Sequence, residues 1–585
     1  FQAEDGIRDV ERSRGLGDVY KRQYQHSQSF RDSYIKHLKD VYSDIGRLNQ
    51  AYGTNYASFE QCPVPQLGKV PLEVHPRIAR GSLSATESRE PEFPEDSTEN
   101  IIYYDLKRIF SALSAERYNQ IGEMIKEISP GSEYWGPCVQ LEFMFDTRQI
   151  HSDTYLSAVG PILCDLAKQP YIDCLHVDTY RETPFLAAAE WRIAAKAAQK
   201  YNKRLIISEV GGENGNKFIR ALDGLLYGAD NLRGAMIWDA KSGGGNEEGF
   251  GILNMKGEPR PLWYEQAGKF FSILQKGAKF YQEYHKGDVE VYFPHYSLNV
   301  IQQGNASLKK TIQLMADLLE VGYKLEPIFD DEVARGEFSQ LWIYSYYMSS
   351  EAIKFITRKT KDKKYVVWQY AAHSPGVARG KDAQQIWPQI FGFKVLPAGP
   401  RPMERCEALG SFFSPPELAL CYPPFWDIDD PEENEAVARH SSLYGNKILG
   451  IKTREGSYWF DEYIGFKDYF GERHLVEISG LPKLTYEPAP FGHRQSAHYA
   501  LGYFNQAGQL LIVAINLLRT ADPIKITVRM IELGYDTKRA YRVENLSSGE
   551  LVAERISPDS SGILSFPARI PGNEKYAFLI TPVEK

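Results

Sequence analysis

Residues 205–210 read LIISEV, an apolar β-branched run that carries one carboxylate, Glu209, near its end and is followed at once by Gly211 and Gly212. A run of this length closed by glycines predicts a buried parallel strand with Glu209 at its C-terminal tip. In a β/α barrel that end of the strands gathers the catalytic groups, because the loops leaving it form the active face. Residues 234–239, GAMIWD, predict a second such strand, ending in Trp238 and a glycine-rich loop. A glutamate at one strand end and a tryptophan at the next suit a pocket that stacks a sugar ring on an indole face and attacks its anomeric carbon.

Strand and helix alternate around this pair. Strands are expected at 134–141, 172–177, 204–209 and 233–238, and helices at 155–168, 184–201, 217–227 and 262–274. Four consecutive β/α units predict a parallel sheet with right-handed crossovers, half of an eight-stranded (β/α)8 TIM barrel. Upstream, Phe30, Tyr34, Leu38, Val41 and Ile45 keep helical spacing within residues 30–56, and residues 101–128 predict another helix after an irregular, Pro/Glu/Ser-rich excursion over 73–100. Residues 1–23 are highly charged, lack an apolar period and resemble translated adapter read-through, so they are set aside as an artefactual leader. The expectation is that the first half of the barrel is missing from this sequence.

Beyond the partial barrel, 24–280, strands at 289–293, 323–329, 341–345 and 365–369 alternate with helices at 308–320 and 350–357. They predict a smaller doubly wound α/β domain without a dinucleotide fingerprint, assigned with an irregular aromatic extension to 281–497. Short strands at 500–504, 510–517, 524–530, 540–545 and 576–581 predict a small antiparallel β domain over 498–585.

A chain of 585 residues exceeds what one core supports. Its net charge of -8 argues against a nucleic-acid partner. No run approaches the roughly 18 apolar residues that a membrane span needs. The six cysteines lack CxxC or Cys/His spacing, so neither a metal site nor a disulfide framework is indicated, and no cofactor is implied. Cys138, Cys164 and Cys174 sit in apolar contexts and are expected as buried thiols. The aromatic content, 13% with 37 tyrosines, is enough to furnish a carbohydrate cleft as well as the cores. The compartment is not legible.

Retaining glycoside hydrolysis needs two carboxyl groups about 5–5.5 Å apart, a nucleophile and an acid/base. Glu209 has the position of the nucleophile. In CLHVDTY, His176, Asp178 and Tyr180 alternate toward one side of a strand, where they can bind sugar hydroxyls or hold Glu209 in place. Trp238 is the candidate sugar platform. Glu213 reads as a helix-start carboxylate, Glu142 as a weaker pocket candidate, and Asp239, Glu247 and Glu248 as solvated loop charges.

Residues 30–66, FRDSYIKHLKDVYSDIGRLNQAYGTNYASFEQCPVPQ, resemble the segment that follows the fourth barrel strand in glycoside hydrolase family 42, with its signature at Leu48, Asn49, Tyr52, Gly53 and Thr54. The resemblance implies a retaining β-galactosidase-like enzyme with Glu209 as nucleophile on strand seven and Trp238 on strand eight. It also implies an amidotransferase-like α/β domain that trimerises the protein, then a small β domain. The acid/base glutamate would lie upstream of Phe30, so neither Glu4 nor Glu11 takes that role, and the chain as it stands is expected to be inactive. Two departures bear on sugar specificity: GGENGNKF lacks the tryptophan that usually follows the nucleophile, and Gly251 stands where a histidine is expected. The rivals are another retaining barrel glycosidase and a non-catalytic carbohydrate-binding or assembly protein. Amidotransferase chemistry is excluded, since residues 289–369 contain no cysteine.

Overall fold

The computed structural model describes residues 28–64, 98–140, 163–179, 181, 183–210, 215–237, 240–241, 251–293, 303–343, 347–348, 352, 354–356, 365–369, 376–377, 394–397, 426–429, 435–439, 448–452, 458–460, 479–487, 498–506 and 508–584. Strands β1 (Cys138–Gln140), β2 (Cys174–Thr179), β3 (Arg204–Val210) and β4 (Leu232–Ile237) form one parallel sheet in the order β1-β2-β3-β4. The helices Leu163–Ala167, Pro184–Lys200, Gly215–Gly228 and Pro261–Lys276 alternate with them. Leu175, Val177, Leu205, Ile207, Val210 and Leu232 meet these helices in a common core.

Helix Pro184–Lys200 starts where Thr183 accepts the Leu186 amide, with proline in the first turn. Its alanine face admits helix Gly215–Gly228 at short range. A Cβ on Gly224 would stand 2.6 Å from the Ala187 methyl, and one on Gly228 2.5 Å from that of Ala188. Cys164 and Cys174 are buried, and burial pushes the Cys174 thiol up to about 11. Cys138, expected in the core, is exposed instead, because it lies on an edge strand whose outer side no neighbour covers among the described residues.

The helical period over residues 30–56 resolves into two helices, Gln28–Tyr42 and Ile45–Tyr52. Ser43 takes φ 63°, and Asp44 accepts the Arg47 amide at 2.9 Å as the second N-cap. Both helices bury tyrosines against helix Thr98–Ile128, where Asp105 accepts hydrogen bonds from Tyr42 (2.5 Å) and Tyr52 (2.9 Å).

A seven-stranded sheet follows in the order Glu435–Arg439, Ile448–Lys452, Tyr458–Phe460, Tyr365–Gln369, Gln340–Ile343, Val289–Tyr292, Leu325–Ile328. Its last five strands are parallel, and Ile448–Lys452 pairs antiparallel with both of its neighbours. The aromatic stretch without a readable period thus supplies three strands of this sheet. The C-terminal part builds a five-stranded and a three-stranded antiparallel sheet, whose inner residues form a second core. Leu484–Glu487 joins the smaller sheet by pairing with Pro523–Arg529.

Buried polar contacts lock these parts together. Arg192 donates to Asp230 at 2.6 Å and to the Leu325 carbonyl at 2.8 Å. Lys196 pairs with Glu326 at 2.7 Å, and Tyr227 donates to the Leu319 carbonyl at 2.6 Å. Lys575 of the five-stranded sheet pairs with Asp223 of helix Gly215–Gly228 at 2.7 Å, both fully out of water.

Candidate active site

The register of the four-stranded sheet gathers the candidate residues. Val177 of β2 pairs with Ile207 of β3, but Asp178 pairs with Glu209, so Ser208 is an extra residue. The same excess separates β3 from β4, where Ile207 pairs with Ala235 and Val210 with Ile237. Leu205, Ile207 and Val210 accordingly share the helix-side core at intervals of two and then three residues. Such a bulge resets the alternation of a strand and often re-aims positions beside active sites. Here it places Gln140, Asp178 and Glu209 on one rung, and Thr179, Val210 and Ile237 on the next. Tyr180 and Trp238 follow that last rung directly in sequence and lie outside the described residues, as do Glu142, Glu213, Asp239, Glu247 and Glu248.

The face of the sheet turned away from the helices carries His176 and Asp178, with Asp178 fully buried. The His176 ring meets Trp135 edge to face at a centroid distance of 6.2 Å. The Trp135 indole donates to Glu133 at 3.3 Å, and Arg233 at the start of β4 donates to both oxygens of the same carboxylate at 3.2 and 3.3 Å. These groups floor the N-terminal end of that face. Toward β4, among the described residues, nothing lies within 4 Å of a Cβ built on Gly234, and Met236 is 41% exposed. Sequence reading missed Trp135, Glu133 and Arg233. Only the pairing of β1 with β2 brings the loop before β1 under His176, and no local pattern encodes that pairing.

Two further contacts shape the loops at the C-terminal end. Arg181, just after β2, donates to the buried Glu190 at 2.6 Å, which pins the β2 exit to helix Pro184–Lys200. After β4, the Arg260 guanidinium lies 4.0 Å over the Trp263 ring and donates to the Gly251 carbonyl at 3.1 Å. Trp263 stacks on Phe218 with 4.7 Å between centroids. Gly251, where the family pattern has histidine, thus closes its loop through the main chain. Among the described residues no group of three or more His, Cys, Asp or Glu is placed to hold a metal, and no helix is long and apolar enough to cross a membrane.

Solved structures with the same architecture supply the comparison. Gan42B, a GH42 β-galactosidase from G. stearothermophilus, superposes with a TM-score of 0.60 at 12% identity, over 94% of this chain and 75% of its own. The chain has the fold of the family 42 β-galactosidases. The β-galactosidase of Bacillus circulans sp. alkalophilus gives 0.57 at 12% identity, over 94% of this chain and 76% of its own. That of the psychrophilic Marinomonas ef1 gives 0.56 at 10%, over 97% and 82%. No family model matches the sequence, and neither does any curated protein.

Proposed function

We propose that β1–β4 are the second half of a (β/α)8 barrel and that the chain derives from a retaining glycoside hydrolase acting on β-galactosides or related β-glycosides. The observation that carries the proposal is the Ser208 bulge, which sets Glu209 on the rung of the buried Asp178 near the C-terminal end of the third parallel strand. The likeness of fold to β-galactosidases supports the same substrate class. In this reading Glu209 attacks the anomeric carbon and forms a glycosyl-enzyme. A second carboxyl group, supplied by a strand of the other half, protonates the leaving oxygen and then activates water. His176, Asp178 and Tyr180 bind sugar hydroxyls or orient Glu209, and Trp238 stacks the ring. The α/β domain joins three copies into a homotrimer.

The test needs the protein completed by the four preceding β/α units. A 2-deoxy-2-fluoro-β-galactoside should then label the peptide containing Glu209, and Glu209→Gln should abolish labelling and lower turnover by several powers of ten. A label on Asp178 or Glu213, or near-parental turnover in Glu209→Gln, overturns the assignment. Sugar binding without any covalent label favours a non-catalytic carbohydrate-binding protein.

A further inference from the structure

Trp263 sits where the returns of two neighbouring loops meet. It lies in the first turn of helix Pro261–Lys276, which follows β4, and its ring stacks on Phe218 of helix Gly215–Gly228, which follows β3. A Cβ on Gly215 would stand 2.9 Å from the Trp263 Nε1 and 3.7 Å from two of its ring carbons. The indole edge thus occupies the room that a side chain at 215 would need. Gly215 does not take a positive φ, so glycine serves space here and not backbone angle.

On the β4 side the chain closes on itself before it reaches Trp263. Leu253 donates its amide to the carbonyl of Ala240, two residues beyond Trp238, at 3.0 Å, and the Arg260 amide donates to the Ile252 carbonyl at 3.0 Å. Asn254 Oδ1 accepts the Lys256 and Glu258 amides, each at 2.9 Å, which fixes the turn between them. The Arg260 guanidinium reaches back to the Gly251 carbonyl while lying over the Trp263 ring. A planar cation that stacks on an indole and donates from its edge holds orientation as well as distance. The chain leaving β4 is therefore tied, through Arg260 and Trp263, to the start of the helix that receives the chain leaving β3.

We propose that Arg260 and Trp263 are positioning residues, which set the exit of β3, carrying Glu209, against the exit of β4, leading into Trp238. The proposal rests on the reading of Glu209 as nucleophile and Trp238 as sugar platform. A shift of about 1 Å between two such groups can cost about a hundredfold in rate, because the bound sugar then no longer lies in line with the attacking oxygen. Both residues act through the loops and not on the sugar.

Hydrogen exchange of the 585-residue chain, read by mass spectrometry, tests the tie from both sides. Arg260→Met should raise exchange over residues 219–222 about tenfold, against residues 223–228 of the same helix as reference. Gly215→Ala, which presses on Trp263 from the other side, should raise exchange over residues 251–260. Changes confined to the mutated side in both variants overturn the tie. In the protein completed by the four preceding β/α units, Arg260→Met should lower kcat for a nitrophenyl β-galactoside, and the rate of fluorosugar labelling, about 10–100-fold with KM little changed. A folded variant with parental kcat overturns the positioning role, even where its urea midpoint falls. A parent that never labels Glu209 overturns the glycosidase reading instead, and exchange still decides the tie.

Discussion

Replacing Lys575 by methionine removes one half of an ion pair that has no water to fall back on. Lys575 and Asp223 stand 2.7 Å apart with their side chains 0% and 2% exposed, and they join the C-terminal sandwich to helix Gly215–Gly228. Breaking a buried pair from one side costs about 3–5 kcal/mol, because the remaining charge stays desolvated. Arg220 lies 3.3 Å from the other oxygen of Asp223 and keeps part of the compensation, so the lower end, about 3 kcal/mol, is expected. Removing both charges in Lys575→Met/Asp223→Leu replaces the pair by apolar volume and should cost about 1 kcal/mol or less, since such exchanges are often neutral. Arg220 then still has Asn573 as a partner at 3.2 Å. The double variant should therefore recover about 2 kcal/mol of the stability that the single variant loses. Pulsed hydrogen exchange across a urea series reads strand Lys575–Pro582 separately from the rest of this multi-part chain. A single variant that costs less than about 1 kcal/mol, or a double variant no better than the single, refutes the reasoning.

The glycine seam is equally open to test: Gly228→Ala, whose new methyl would meet that of Ala188 at 2.5 Å, should destabilise the four-stranded unit by about 1–3 kcal/mol, and an unchanged urea midpoint would show that the helices part freely. For assembly, light scattering on the completed protein should give three times the monomer mass, and a monomer at micromolar concentration sinks the homotrimer.

Much of this architecture is legible because local periodicity carries it. The helices at Pro184–Lys200 and Gly215–Gly228 and the strand around Glu209 fall within a residue or two of the apolar patterns that announce them. Legibility ends where pairing is not local. Tyr458–Phe460 becomes a strand because it lies parallel to Tyr365–Gln369, far away in sequence, and no period marks it. The helix break at Ser43 escapes because Phe30, Tyr34, Leu38, Val41 and Ile45 keep helical spacing straight across it, whereas the buried positions step from Tyr42 to Leu48. The sequence reading of helix Pro184–Lys200 assigns no role to Glu190, Arg192 and Lys196, and all three are buried, each against a partner that the alanine-rich helix does not itself contain. For the candidate site, the strand ends could be read from sequence, whereas the extra residue in β3 emerges only from the neighbours' register.

Ser208 has a consequence for how this sheet tolerates change in length. Because β3 holds one residue more than either neighbour between Ile207 and Val210, losing the Ser208 codon leaves the rungs on both sides of it paired: Val177–Ile207–Ala235, then Asp178 beside the glutamate, then Thr179 beside the valine and Ile237. A one-codon deletion in a buried strand ordinarily turns every later side chain to the wrong face. Here it would only straighten the backbone. The hydrophobic core, which takes Ile207 and Val210 from either side of Ser208, thus places no demand on the extra residue, and the bend beside Glu209 can be removed without turning the core face outward.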